Sequence, residues 1–311
     1  MPPYSLPKDA VWFITGCSSG IGHALCMHLS TKTHSRIAAT ARNPSSLASL
    51  PSSPNILKLA LDVTSDFSVQ EALSATVKEF SRIDVVVNSA GYGAMGDTET
   101  MDMAKARGMM ETNFWGAVRV TRLVLPILRE ENGRAGMMKG GLIMQITSMG
   151  GRVAFAGNTF YHASKFALEG FTEGLARELP EEWAVRFLCV EPGGVKTGYS
   201  ETATKGFDGE KRLEVYKDPR LPTNMMLRYK ETAEATKGWA EPGKVAEVLY
   251  EYLRDGGMGG EMGLRLPLGS DSWGMQKHAL EEGLVELERA REVSCKTSGM
   301  EQLESIGFLK K

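Results

Sequence analysis

Residues 11–30 read VWFITGCSSGIGHALCMHLS. The apolar run VWFIT (11–15) feeds directly into a glycine-rich turn, and the turn into a stretch with the pattern of a helix. Gly16, Gly20 and Gly22 let the backbone turn tightly and approach a pyrophosphate, whose charge a helix N-terminus stabilises. The rest of the chain repeats this alternation. Strand-like runs follow at RIAATA (36–41), NILKLALDV (55–63), IDVVVNSAG (83–91), GLIMQITS (141–148), AVRFLCVEPG (184–193) and GLRLPLG (263–269). Helix patterns fall between them. Thr64, Ser65 and Asp66 offer N-cap chemistry for a helix reaching Phe80, and further helices are expected over about 105–129, with Pro126 near the end, and over 159–179 and 244–255. The unbroken apolar run at 83–91 suits the centre of a parallel sheet covered on both faces. The expected fold is therefore α/β: a Rossmann-like doubly wound parallel sheet flanked by helices, with its ligand site at the carboxyl ends of the strands.

Three segments stand outside the alternation. ENGRAGMMKGG (131–141) reads as an exposed turn, and 270–311 as an amphipathic helix with a polar end. The polar, helix-capable stretch 198–241 directly follows the sixth strand, which makes it a candidate substrate lid. The chain is expected to form one domain over 1–311, with a core at about 10–270, the lid at about 198–241 and a C-terminal extension at about 271–311.

The 311 residues, 42% hydrophobic and 24% charged, are enough to bury a substantial core. A net charge of −2, with both signs mixed along the chain, leaves no electrostatic footprint for nucleic acid or an anionic membrane. No apolar run approaches the ~20 residues of a membrane span. MPPYSLPKDA at the start lacks the pattern of a secretory signal, so a cytoplasmic location is expected. Cys17, Cys26, Cys189 and Cys295 are scattered, with no Cys/His ligand cluster, and read as reduced packing residues. His23 and His28 lie five apart on a helix, off a common face and without acidic or thiol partners, so no metal is expected. The 17 methionines suit either core filling or a plastic pocket.

In YHASK, Tyr161 and Lys165 are four apart on a predicted helix and share one face. A free phenol, with a pKa of ~10, is a poor base at neutral pH. A nearby ammonium is expected to favour phenolate and bring Tyr161 toward working range.

Taken in order, TGCSSGIG near the start, NSAG after the fourth strand, a serine after the fifth, YxxxK a dozen residues later and PGGVKT after the sixth resemble the short-chain dehydrogenase/reductase family. The match runs from about Ala10 to Ser270. The resemblance implies that Ser148, Tyr161, Lys165 and Asn113 act as a unit. Tyr161 would exchange the proton with the substrate oxygen, Ser148 would hydrogen-bond that oxygen, Lys165 would bind the nicotinamide ribose, and Asn113 would hold a water linking Lys165 to solvent. It also implies cofactor contacts from Gly16, Gly20, Ile21, Gly22, Asp62 toward the adenine, Asn88 on the ribose side, Arg122, Tyr161, Lys165, and Val195 and Thr197 at the nicotinamide. Cofactor choice turns on ATARN at the end of the second strand. NAD-preferring relatives place an acid there, whereas Arg42 suits a 2′-phosphate by charge and fork geometry, so NADP(H) is expected. The implied activity is hydride transfer between NADP(H) and a small-molecule carbonyl or secondary alcohol, in a homo-oligomer. A cofactor-binding sensor and a non-redox enzyme on the same fold are the competing readings. The intact four-residue set argues against a sensor.

Overall fold

The computed structural model describes residues 4–134, 139–204, 207 and 212–310. Its strands are β1 (Val11–Ile14), β2 (Arg36–Ala41), β3 (Ile56–Ala60), β4 (Val85–Asn88), β5 (Gly141–Ile146), β6 (Val185–Pro192) and β7 (Arg265–Leu268). They form one seven-stranded sheet in the order β3-β2-β1-β4-β5-β6-β7, with every pairing parallel. The connections run outward from β1 on one side and return to β4 on the other. The reversal leaves a crevice at the carboxyl ends of β1 and β4.

Both faces of the sheet are covered, which is why β1 and β4 are buried along their whole length. Side chains alternate between the faces. Ile14, Val85 and Val87 pack with Leu25 and Leu29 of helix α1 (Gly20–Lys32) and with Leu249 and Leu253. Phe13 and Val86 point the other way, onto Val69 and Leu73 of α2 (Asp66–Phe80) and onto Val120 and Val124 of a long helix α3, 103–134. Burying each such large side chain contributes about 1.5–3 kcal/mol. The expected cap forms at α2, where the Ser65 hydroxyl accepts from the Ser68 N–H at 3.3 Å.

After the first turn the chain is closely packed. Gly16 has φ +73°, and a Cβ there would lie 2.8 Å from the Ala90 Cα. A Cβ on Gly22 would lie 2.7 Å from the Gly16 carbonyl oxygen. Glycine is required at both positions by close approach, and at Gly16 also by backbone sign.

Helix α3 is longer than the sequence suggests, and widens into π turns at Glu111–Gly116 and at Ile127–Glu131, the second directly after Pro126. The exposed turn expected at 131–141 is shortened accordingly. Asn132 is still in the helix and buried, bonded to both backbone groups of Ile83, and 135–138 lie outside the described residues. The next helices are α4 (Thr159–Glu178), α5 (Tyr199–Thr204), α6 (Pro222–Glu231), α7 (Ala233–Thr236) and α8 (Pro242–Arg254). The tail is more ordered than expected, with a 25-residue helix α9 (Ser270–Ser294) followed by α10 (Met300–Ser305). No helix among the described residues is long and apolar enough to cross a membrane.

Candidate active site

A cavity of about 1130 Å³ opens at the carboxyl ends of β1, β4, β5 and β6. Gly16, Gly20 and Ile21 line it beside Arg42 and Asp62, and its other end holds Ser148, Tyr161 and Lys165, with Val195 and Thr197 on the loop after β6. A smaller recess of about 390 Å³, bounded by Arg152, Glu169, Glu173 and Arg265, holds none of these residues.

Asp62 is anchored by its own turn: Oδ1 accepts from the Thr64 N–H at 2.9 Å and from the Thr64 hydroxyl at 2.8 Å. Those bonds, with Arg42 close by, hold its carboxyl below the usual carboxylate range despite partial burial. Arg42 itself is exposed, one residue beyond β2. No acidic residue lies in β2 or in the seven residues after it.

Ser148 follows β5, and its Oγ accepts from the Gly150 N–H at 3.0 Å. Tyr161 and Lys165 sit one turn apart on α4, as their spacing requires. The Lys165 ammonium donates to the Ile146 carbonyl at 2.8 Å and lies 5.8 Å from the centroid of the Tyr161 ring. Burial pushes Lys165 down to about 8. Hydrogen bonds from the Ser148 and Tyr199 hydroxyls favour the ionised form of Tyr161. Burial outweighs both and raises Tyr161 above the ordinary phenol range. The expected lowering by Lys165 is therefore corrected. Raised in this way, Tyr161 holds its proton at neutral pH and can act as a proton donor.

Asn113 lies in the first π turn of α3, a widening often found at functional sites. Its Oδ1 accepts from the Tyr92 N–H at 3.0 Å, and its Nδ2 donates to the Tyr92 carbonyl at 2.8 Å and the Ser164 hydroxyl at 3.1 Å. It thereby ties the chain after β4 to α4, behind the wall of the cavity.

Three of the expected cofactor residues, Gly22, Asn88 and Arg122, do not line the cavity, and Gly22 instead packs against the Gly16 carbonyl. Asn88 shares the face of Val86 and points toward α3. Its Nδ2 donates to Gln145 Oε1 at 3.0 Å and Thr121 Oγ1 at 3.2 Å, and Ser89, Ala90 and Gly91 line the cavity in its place. Arg122 lies nine residues beyond Asn113, past the π turn, where it is exposed and does not line the cavity.

Sequence reasoning missed four residues that shape the site. The Tyr199 ring packs over Gly93 and lies 5.3 Å from that of Tyr161. Trp239 packs on Gly194, and Asp271 accepts from the Gly194 N–H at 2.7 Å, so α9 begins against the loop after β6. Lys230, on α6, reaches the cavity beside Asn158, with Nζ 3.3 Å from Asn158 Oδ1. No local pattern distinguishes any of the four, since each is brought in by a long-range crossing. His162 accepts from the Phe155 N–H at 3.1 Å, and burial and the Lys230 ammonium push it down to about 4, so it is neutral. Among the described residues no group of three or more His, Cys, Asp or Glu side chains could hold a metal ion.

Comparison with known proteins points the same way. Residues 10–207 match the family described as short chain dehydrogenase. The chain is 41% identical over 298 residues to the oxidoreductase calM of Penicillium decumbens, covering 94% of both chains. It is 34% identical over 229 residues to retinol dehydrogenase 8 of Homo sapiens, covering 69% of this chain and 70% of that one. Among solved structures, a short-chain dehydrogenase from Streptomyces avermitilis superposes with a TM-score of 0.72 at 27% identity, over 93% of this chain and 99% of that one.

Proposed function

The chain belongs to the short-chain dehydrogenase/reductase family, and from that premise we propose that it is an NADP(H)-dependent oxidoreductase acting on a carbonyl or secondary alcohol. The observation that carries this reading is the meeting, in one cavity, of a glycine cradle with Arg42 at one end and Ser148, Tyr161 and Lys165 at the other. The residues fit a nicotinamide dinucleotide. Gly16, Gly20 and Ile21 line an open cradle whose turn leaves no room for a Cβ at Gly16 or Gly22, and the exposed Arg42, with no acid along β2, suits a 2′-phosphate.

When bound, the cofactor supplies or accepts hydride at the substrate carbon. In the reductive direction Tyr161, a neutral phenol, gives its proton to the carbonyl oxygen. Ser148 hydrogen-bonds that oxygen and stabilises the charge that develops on it. Lys165, held by the Ile146 carbonyl, binds ribose hydroxyls and compensates the phenolate left on Tyr161. Asn113 holds Tyr92 and α4 in register around the site. The segment 198–241 acts as the substrate lid, because Tyr199, Met226, Tyr229 and Trp239 face the cavity from it. The whole chain works as one domain, in the cytoplasm and as a homo-oligomer. The free thiols of Cys17, Cys26, Cys189 and Cys295 are compatible with a reducing compartment. The test is a panel of ketones, aldehydes and secondary alcohols followed by nicotinamide absorbance, with NADPH and NADP⁺ and in parallel with NADH and NAD⁺. NADP(H)-linked turnover is expected, and no turnover across the panel would overturn the reading.

A further inference from the structure

Resting on that reading, we propose that Lys230 selects substrates that carry a carboxylate in addition to the reacting carbonyl, the ammonium pairing with the carboxylate at the lid end of the cavity. Lys230 lies near the end of α6 and lines the cavity with Tyr161, Tyr199 and Tyr229. Its Nζ makes one long contact, 3.3 Å from Asn158 Oδ1, and stands 5.6 Å from the centroid of the Tyr199 ring. The Tyr199 ring is in turn 5.3 Å from that of Tyr161. One aromatic ring thus separates the ammonium from the proton donor.

Among the described residues, no acid that lines the cavity pairs with Lys230. Among the described residues that line the cavity, the acids are Asp62, Glu111 and Asp271. Asp62 is bonded to Thr64, Glu111 pairs with Arg119, and Asp271 accepts from the Gly194 and Ser272 N–H groups. His162, which the Lys230 charge reaches, is pushed down to about 4 and is neutral. Burial alone depresses Lys230, to about 8. A half-buried cation without a counter-charge is costly, and an anionic ligand removes that cost while gaining a charge-assisted hydrogen bond. The neighbouring walls, Phe155, Met226, Tyr229, Trp239 and Met275, suit an apolar or aromatic body between the two oxygen functions. The substrate class is accordingly an oxo acid, or the matching hydroxy acid, with an apolar body.

γ-Benzoylbutyrate and its methyl ester, which replaces the charged carboxylate with a neutral ester of one added methyl group, serve as the probes. Turnover with NADPH and calorimetric binding are measured for both, on the unaltered protein and on Lys230→Met, which keeps the apolar stem. The acid should be preferred over the ester by at least tenfold in kcat/KM and in affinity. In Lys230→Met that ratio should fall toward one, since a hydrogen bond to a charged group contributes about 1.5–3 kcal/mol, or roughly 10- to 150-fold. Equal use and equal binding of acid and ester by the unaltered protein, or a preference that survives in Lys230→Met, would overturn the assignment. Lys230-dependent binding of the acid without turnover of either probe supports the carboxylate site and counts against hydride transfer, whereas turnover of both without preference does the reverse.

Discussion

Two single side chains set the cofactor terms. Arg42 follows β2 with no acid beside it on the strand, so on the proposed reading its guanidinium would be the group that distinguishes a 2′-phosphate from a 2′-hydroxyl. Arg42→Ala should reduce the preference for NADPH over NADH by roughly 10- to 150-fold, the worth of one charged hydrogen bond. Fluorescence titration with both cofactors checks this, and equal affinity in the unaltered protein would contradict it. Lys165 adds a pH dependence. Burial holds it down to about 8, so the ammonium is present below that pH and lost above it. NADPH affinity should weaken as pH rises through about 8, and Lys165→Met should bind more weakly and lose that dependence. Both residues were legible in the sequence, Lys165 through its four-residue spacing from Tyr161 and Arg42 through the missing acid. Asn88 and Arg122 were not. Placing Asn88 needed the strand's register, and placing Arg122 needed a turn count along a helix that widens into a π turn between Asn113 and Gly116.

At the scale of elements, the end of β6 stores an unfavourable ionisation. Glu191 is fully buried beside Glu169, and burial, then the Glu169 charge, push it up to about 7. A carboxyl whose folded pKa lies above its unfolded value is favoured protonated by the fold. Its penalty is absent in acid, grows as pH rises past the ordinary carboxylate range, and is complete above about 7. Glu191→Gln should therefore stabilise the protein at alkaline pH, on the order of 1–3 kcal/mol, and have little effect in acid. Thermal melts across pH test this, and a variant that is less stable at high pH would refute it. The lid elements carry a second prediction. Helices α5 and α6 reach the site through Tyr199 and Lys230, and Trp239, in the segment after α7, packs on Gly194 after β6. Bound cofactor and substrate should protect 198–241 from amide exchange more than they protect β4 and β5, because closing segments are drawn from the less stable parts of a fold. Unchanged exchange there would argue against a lid.

Across the whole molecule, the alternation of short apolar runs with 3.6-residue periodicity was enough to read the sheet, because buried parallel strands cannot hide their composition. The grouping of Ser148, Tyr161 and Lys165 was implied by the family resemblance, and the structure places them in one cavity with the glycine turn at the carboxyl ends of the strands. What the sequence could not show is what depends on packing between distant segments. Tyr199 against Tyr161, Asp271 against Gly194 and Lys230 against Asn158 each join residues whose contact no local pattern encodes. The same limit applies to the protonation of Tyr161. Its neighbour Lys165 predicts a lowered pKa, whereas burial of the assembled site raises it. The proposed reaction rests on one assembled unit that would transfer hydride with Tyr161 as the proton group. The most direct test is single-turnover oxidation of bound NADPH by a ketone substrate, compared between the unaltered protein and Tyr161→Phe, with NADPH affinity measured on both. The variant should bind NADPH almost unchanged and transfer hydride about 10²–10⁴-fold more slowly, the range expected for loss of positioned acid–base catalysis. A variant that binds NADPH normally and keeps more than about a tenth of the rate would contradict the assignment.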